Sequence, residues 1–435
     1  MTDTSTTDTV RFSPLSFLEG ATAAIPAFGS DLVDFRREMH ADPEVGLYLP
    51  RSQARVLEAL KGLDLEISLG KAASSVVAVL RGGATQSPVG SRPTVLLRGD
   101  MDALPVAEKT GIPFASTNGA MHACGHDLHT AGLIGAARLL SSVRDNLTGD
   151  VIFMFQPGEE GHDGARIMLE EGVLNAAGRR PDAAYALHVV SDMPSGVFTT
   201  RAGSYMAAFG DLSVKVIGRG GHGSRPFQTL DPIQVAAEML GALQTYITRR
   251  FNVFDPVVLS VGQFHGGSAS NVIPDSAEFR ASVRSFSPGV EARLAQELPD
   301  LIRQLAAAHQ LTADATFTPV MPATVNHDSD AELWGRTART FFGEHRFVPS
   351  PSPRTGSDDF SRVLVEVPGA YGHLGAGSPD IDPMEWAPMH SPRAVFDDSI
   401  LVDQAQFMAG VALGKLQELE VRGRLGGPPE RPHLT

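Results

Sequence analysis

The sequence predicts an α/β protein: a sheet domain with helices on both faces, interrupted by an inserted ferredoxin-like α+β domain. Three observations predict it. Strand-sized apolar runs alternate with segments of helical periodicity, some of those runs are apolar on both faces, and one internal stretch carries a β-α-β-β-α-β order.

Taken in order, helical periodicity covers Leu32 to Met39 and Arg51 to Leu60, and short apolar strands follow at Ser75 to Leu80 and Thr94 to Leu97. The Gly-, Ser- and Pro-rich stretch Arg81 to Pro93 between them is a surface loop, because the strand pattern resumes at once. A helical run from Thr130 to Leu140 leads to the strand Val151 to Phe155, apolar on both faces, which suits a sheet covered on either side. A helix is expected over Ala165 to Glu171.

The pattern then changes. Strand Leu212 to Ile217, helix Ile233 to Thr248, strands Val257 to Phe264 and Ala277 to Val283, helix Val290 to Ala308 and strand Thr312 to Phe317 give the ferredoxin-like order. Helical patterns resume at Glu332 to Phe342 and Leu401 to Leu419, so this module reads as an insertion. The expected division is residues 12–201 with 321–420 as one discontinuous domain, 202–320 as the insert, and 421–435 as a frayed tail.

Composition narrows the function. Of 435 residues, 42% are apolar and 20% charged, which is enough apolar surface to build cores and excludes a wholly disordered chain. A formal charge of −14 repels a phosphate backbone, so nucleic acid is excluded as a partner. The longest apolar runs fall far below the roughly 18 residues of a membrane-spanning helix, and the first residues carry no secretory pattern. The single cysteine, Cys124, permits no intramolecular disulfide. A cytoplasmic protein without membrane contact is the expectation.

Candidate chemistry clusters in a few places. His122-Ala-Cys124-Gly-His126-Asp127-Leu-His129 packs four possible ligands and an acid into eight residues ahead of a helix. Thiolate and imidazole suit a borderline cation such as zinc, and a thiol near a helix N-terminus ionises more easily. A lone Cys or His is better read as a buried thiol or an exposed ring, but this clustering favours ligation. Asp100 and Asp102 leave the end of a strand, the edge at which open sheets place active sites; an Asp-x-Asp alone is more often a solvated turn. Glu159 and Glu160 follow another strand on a Gly-flanked loop, where one carboxylate could hold a metal while its neighbour moves a proton. Their simpler reading is favourable charge at a helix N-terminus.

His188 and His390 end apolar stretches and gain weight only from the other parts. Gly218-Arg-Gly220-Gly221-His222-Gly223 fits a dinucleotide fingerprint, but Pro226 and Pro232 delay the helix that the fingerprint requires, so a turn presenting His222 is the better reading. Ser268 and Ser270 lack the nucleophile-elbow pattern, which leaves serine hydrolysis unsupported.

Together these motifs resemble the metal-dependent superfamily of aminoacylases, hippurate hydrolases and carboxypeptidases, within it the amidohydrolase branch, from about Asp31 to Val411. The carriers include His40 with Pro43-Glu44-x-Gly46, Arg98-Gly-Asp-Met-Asp-Ala-Leu-Pro105, Met121-His-Ala-Cys-Gly-His-Asp127, Gln156-Pro-Gly-Glu-Glu160, Asn271-Val-Ile-Pro-Asp275, Gly356-Ser-Asp-Asp-Phe360 and His390-Ser-Pro392. The resemblance implies a catalytic sheet domain and an inserted lid and dimerisation domain, in homodimers or homotetramers. It implies two divalent metal ions per subunit (Zn, Mn or Co), held by Cys124, His126, Glu160, His188 and His390, with Glu159 as general base and acid. Asp100 and Asp102 would orient the ligands, His222, which in relatives reaches a neighbouring subunit's site, would stabilise the oxyanion, and Asn271 would help bind substrate. Phe227 departs from a histidine usual in relatives, and Tyr48-Leu49 from acidic residues.

The implied reaction is hydrolysis of the amide of an N-acyl amino acid, hippurate-like or otherwise. A carboxypeptidase or dipeptidase of the same superfamily is the alternative, and a non-catalytic metal-binding protein a further one. A glutamate with pKa of about 4.3 stands roughly 11 units short of deprotonating bulk water at about 15.7, so a bound cation is expected to do most of the activation.

Overall fold

Unbroken runs of buried apolar side chains dictate the sheet of the first of two units. In the computed structural model, which describes residues 25–424, this unit comprises 25–202, 326–350 and 366–424, and the second comprises 203–325 and 351–365. Strands Thr94–Asp100, Asp150–Gln156 and Gly369–Gly377 are buried at every position, as is Val76–Leu80, and Ala183–Pro194 is buried over its first nine residues. Strands of this kind have no solvent face, so helices must cover both sides.

Seven strands form the sheet. Its centre is parallel, in the order Asp150–Gln156, Thr94–Asp100, Ala183–Pro194, Gly369–Gly377. Val76–Leu80 and then Glu66–Leu69 extend one side antiparallel, and Phe198–Thr199 closes the other. The chain passes from Thr94–Asp100 to the strand on one side and then crosses to the other, which makes the C-terminal end of Thr94–Asp100 the switch point at which such sheets bind ligands. Helix His126–Ser142 packs against this strand and is itself covered by Ile25–Ala41 and Leu401–Arg424. Leu97, Phe153, Tyr185 and Leu374 from the sheet share one core with Leu133, Ile134, Trp334 and Phe407. Burial of each such side chain stabilises by roughly 1.5–3 kcal/mol, enough in sum to hold polar groups at the strand ends.

The second unit has its own core and a four-stranded antiparallel sheet, ordered Val258–Gly266, Ser276–Ser285, Ala208–Ile217, Thr312–Met321. Burial alternates along Ala208–Ile217 and Ser276–Ser285, so one face meets helices Pro232–Arg250 and Pro288–Ala308 and the other meets solvent. Asp231 starts the first helix by accepting the Ile233 N–H, with Pro232 at the first helical position.

Several details differ from expectation. Segment 351–365 groups with the second unit, whereas 321–420 was expected to belong wholly to the first: Arg284 Nη1 donates to the Thr355 carbonyl (2.8 Å) and the Ala207 N–H to the carbonyls of Arg354 and Gly356. Helix Leu401–Arg424 carries through 421–424, so no frayed tail begins at 421; residues 12–24 and 425–435 lie outside the described residues. The helix expected from Thr130 begins at His126. Among the described residues, no helix is long and apolar enough to cross a membrane.

Candidate metal centre

Four segments converge at the C-terminal edge of the parallel strands. Thr94–Asp100 ends in Asp100, with Asp102 just beyond. Asp150–Gln156 runs to Gly158, whose φ of 71° turns the chain into the short kinked turn Glu159–His162. His188 lies two residues past Ala186, the partner of Arg98 in the neighbouring strand. Cys124 precedes Gly125, which caps the His126–Ser142 helix with φ 85°; a Cβ there would stand 2.4 Å from Val189 Cγ2. Only glycine makes this turn without strain, and the turn lets Cys124 and His126 address one cluster.

The ligand atoms of Cys124, His126 and His188 all lie within 4.8 Å of one another, as do those of Cys124, Glu160 and His390, and those of His126, Glu159 and Glu160. The first two triplets share Cys124. Cys124 Sγ is 3.4 Å from His188 Nε2, and His390 Nε2 is 3.2 Å from Glu160 Oε1. His390 has φ 68°, and its N–H donates to the Ala123 carbonyl (2.9 Å), tying this late segment to the Cys124 loop. The sequence-predicted ligands, 266 residues apart at the extremes, are therefore gathered together, with Glu159 among them.

Hydrogen bonds fix which atoms are available. His188 Nδ1 donates to the Val189 carbonyl (2.6 Å), which leaves Nε2 bare towards Cys124. Asp102 accepts the N–H groups of Glu159 and Glu160 (3.0 Å each), fixing the two-glutamate turn. Neither ring nitrogen of the buried His126 makes a hydrogen bond, although Asp100 and Asp102 oxygens stand 3.5 and 3.3 Å away. A buried polar ring left in this state is costly unless something else satisfies it, and a cation at the thiol, imidazole and carboxylate donors would do so. The residues fit a divalent metal.

The electrostatics agree. Burial opposes ionisation of Asp100, but Arg98, with Nη1 at 2.7 Å, and the flanking His126 and His129 outweigh it and hold the carboxyl well below the usual range. Burial opposes ionisation of Glu160 too, and His390 overcomes it. Burial holds His188 well below the usual imidazole range, which keeps the ring a neutral donor. The expectation that the helix N-terminus eases ionisation of Cys124 is not met: burial pushes the thiol up despite the neighbouring His126. A thiolate at this depth needs a bound cation for its charge.

Sequence reasoning missed the layer behind the Cys124 loop. Buried Asp127 forms an ion pair with Arg36, Nε at 2.8 Å, and pairs with His40 Nδ1 at 2.8 Å, while His40 Nε2 meets Glu108 at 3.2 Å. His40 and Asp127 belonged to recognised motifs, but their pairing spans 87 residues, which no local spacing signals. The ring of buried His373 lies tilted by 44° to that of His188, with centroids 5.6 Å apart. In the second unit, the two-residue strands Gly221–His222 and Val272–Ile273 pair antiparallel, and the Gly223 N–H donates to the Asn271 carbonyl (2.8 Å), so His222 and Asn271 are neighbours. Exposed His222 accepts the Ser224 N–H on Nδ1 (3.1 Å), which leaves Nε2 as its N–H donor.

Comparison with known proteins completes the assignment. Residues 96–414 match the model of the peptidase family M20/M25/M40. The chain is 32% identical to the Arabidopsis thaliana IAA-amino acid hydrolase ILR1-like 2, over 91% of this chain and 88% of the relative. It is 34% identical to thermostable carboxypeptidase 1 of Saccharolobus solfataricus, over 85% and 91%. The Bacillus subtilis YXEP protein, a dinuclear metal-binding peptidase of the M20 family, superposes with a TM-score of 0.77 at 28% identity, covering 90% of this chain and 99% of that one. A gathered set of thiol, imidazole and carboxylate donors at the switch point of such a sheet is what a metal-dependent amidohydrolase needs, and the chain belongs to the M20/M25/M40 peptidase family.

Proposed function

We propose that the protein hydrolyses the amide bond of N-acyl amino acids, releasing a carboxylic acid and a free amino acid, with two divalent cations (Zn, Mn or Co) held by Cys124, His126, Glu160, His188 and His390. The observation that carries this reading is the pair of ligand triplets sharing Cys124 beside Glu159. Cations held there supply Lewis-acid chemistry, polarising the amide carbonyl and making water acidic near neutral pH.

The chain's own residues do the rest. Asp102 holds the turn on which Glu159 takes the proton of the attacking water and returns it to the leaving nitrogen. Asp100, clamped by Arg98 and His129, keeps negative charge against His126. His222, with its proton on Nε2, is the donor that the second unit offers to the oxyanion in a neighbouring subunit's site, with Asn271 beside it to help bind substrate.

The N-acyl amino acid reading is supported by the Arabidopsis relative, named an IAA-amino acid hydrolase; the Saccharolobus relative, named a carboxypeptidase, supports the alternative. Equal concentrations of N-acetyl and N-benzoyl amino acids and of dipeptides, assayed side by side, separate the two. Preferred turnover of the acyl amino acids is expected; preferred turnover of the dipeptides overturns the assignment in favour of a peptidase. We further read the protein as a cytoplasmic homodimer or homotetramer. A reducing compartment keeps the thiol of Cys124 free for ligation, and the second unit, with Val258–Gly266 along one edge of its sheet, supplies the dimerisation surface.

A further inference from the structure

His129 lies within ligand distance of His126 and Asp100, so by proximity it is a possible metal ligand. Its hydrogen bonds say otherwise. The backbone N–H of Val189 can only donate, and it donates to His129 Nε2 at 2.8 Å, so that nitrogen carries no proton and its lone pair is used. Nδ1 then carries the proton and donates it to Asp100 Oδ1, at 2.5 Å. Both nitrogens are engaged, in one tautomer, in a fully buried ring.

Those two bonds join the two elements that carry His126 and His188 to the strand that ends in Asp100. His129 rides on the first turn of the helix that begins with His126; Asp100 ends the central strand and faces His126; Val189 follows His188, and its own carbonyl accepts His188 Nδ1. The ring also packs edge-on to His188, with centroids 4.4 Å apart. Thr130, next on the helix, adds a bond from Oγ1 to the Asp100 carbonyl (2.7 Å). From this juxtaposition we propose that His129 is a positioning residue that fixes His188 and Asp100 relative to His126, and so sets the affinity of the metal centre without binding metal itself. The inference rests on the metal-centre reading above.

The test measures stoichiometry and affinity for Zn²⁺ and Co²⁺ by chelator competition in wild type, His129→Phe, His129→Gln and His129→Asn. Gln retains an acceptor for the Val189 N–H, and Asn a donor for Asp100. His129→Phe is expected to bind the wild-type number of ions at saturation with affinity about 10–100-fold weaker, the usual cost of losing an outer partner. Gln or Asn should recover part of that loss, and Asp100→Asn combined with His129→Phe should weaken binding by less than the product of the single effects. Should His129→Phe fail to fold, Gln and Asn carry the test, because each loses one bond. Wild-type affinity in every folded variant overturns the proposal, as does loss of a whole metal equivalent at saturation, which would make His129 a ligand. A wild-type protein that binds no cation overturns the metal-centre reading, and this inference with it.

Discussion

Glu159 and Glu160 are adjacent in the chain and share Asp102 as the anchor of their backbone, yet their surroundings divide their work. Glu160 meets His390 and groups with Cys124 and His390, whereas Glu159 groups with His126 and Glu160. Replacing Glu159 by Gln is therefore expected to leave metal content unchanged and to lower kcat by about 10²–10⁴-fold, the usual worth of a positioned acid–base group. Replacing Glu160 by Gln is expected to lower metal content first. Equal metal loss in both variants would remove the distinction. At this scale the sequence was informative where chemistry sits in short spacings, as in Cys124-Gly-His126, and silent where one side chain's role is set by a distant partner. His129 counted as one of four possible ligands until the Val189 N–H, 60 residues on, used its second nitrogen.

Among elements, the strand Gly369–Gly377 was not legible at all, although it lies next to the His188 strand in the centre of the sheet. Its sequence, GAYGHLGAG, offers little β-branched or aromatic signal because glycine is needed for close approach. At Gly372 a Cβ would stand 2.5 Å from Trp334 Cζ2 and 2.8 Å from the Thr199 carbonyl. Gly372→Ala is expected to cost about 1–3 kcal/mol through overpacking, read as a lower midpoint in denaturant; an unchanged midpoint would mean that the Trp334 ring relaxes freely. By contrast, apolar runs such as Val151 to Phe155 were legible, since burial on both faces leaves a continuous apolar signature. The helix over Thr130 to Leu140 was seen, but its first turn was not: polar His126, Asp127 and His129 interrupt the apolar periodicity there and serve the site instead.

Across the whole molecule, the first unit depends on a second buried polar cluster. Lys415 Nζ lies 2.8 Å from Asp330 Oδ1, Tyr185 donates to the same carboxylate, and His327 Nδ1 is 3.2 Å from its other oxygen. Burial opposes ionisation of Asp330, but His327 and Lys415 prevail and lower its pKa. A carboxyl whose folded pKa lies below its unfolded value of about 3.9 stabilises the fold above that pH, and the contribution fades as pH falls towards the folded value. Asp330→Asn is accordingly expected to destabilise by about 3–5 kcal/mol at neutral pH, by leaving the buried Lys415 without that counter-charge, and to flatten the acid limb of stability against pH below about 4. An acid limb identical to wild type would assign the pH dependence elsewhere. Metal linkage acts on the same unit: a cation at 100 times its Kd should stabilise the protein by about 2.7 kcal/mol, seen as a higher Tm on metal addition. The proposed ligands from Cys124 to His390 could be named from sequence because each matches a motif of the resemblance, but their convergence is a property of the sheet's crossover order, which periodicity does not encode.

The most direct test strips the wild-type protein with a chelator while metal content and N-acyl amino acid hydrolysis are followed in parallel, and then restores a divalent cation. Activity should fall in step with bound metal and return on its re-addition; hydrolysis that persists in metal-free protein would contradict the account.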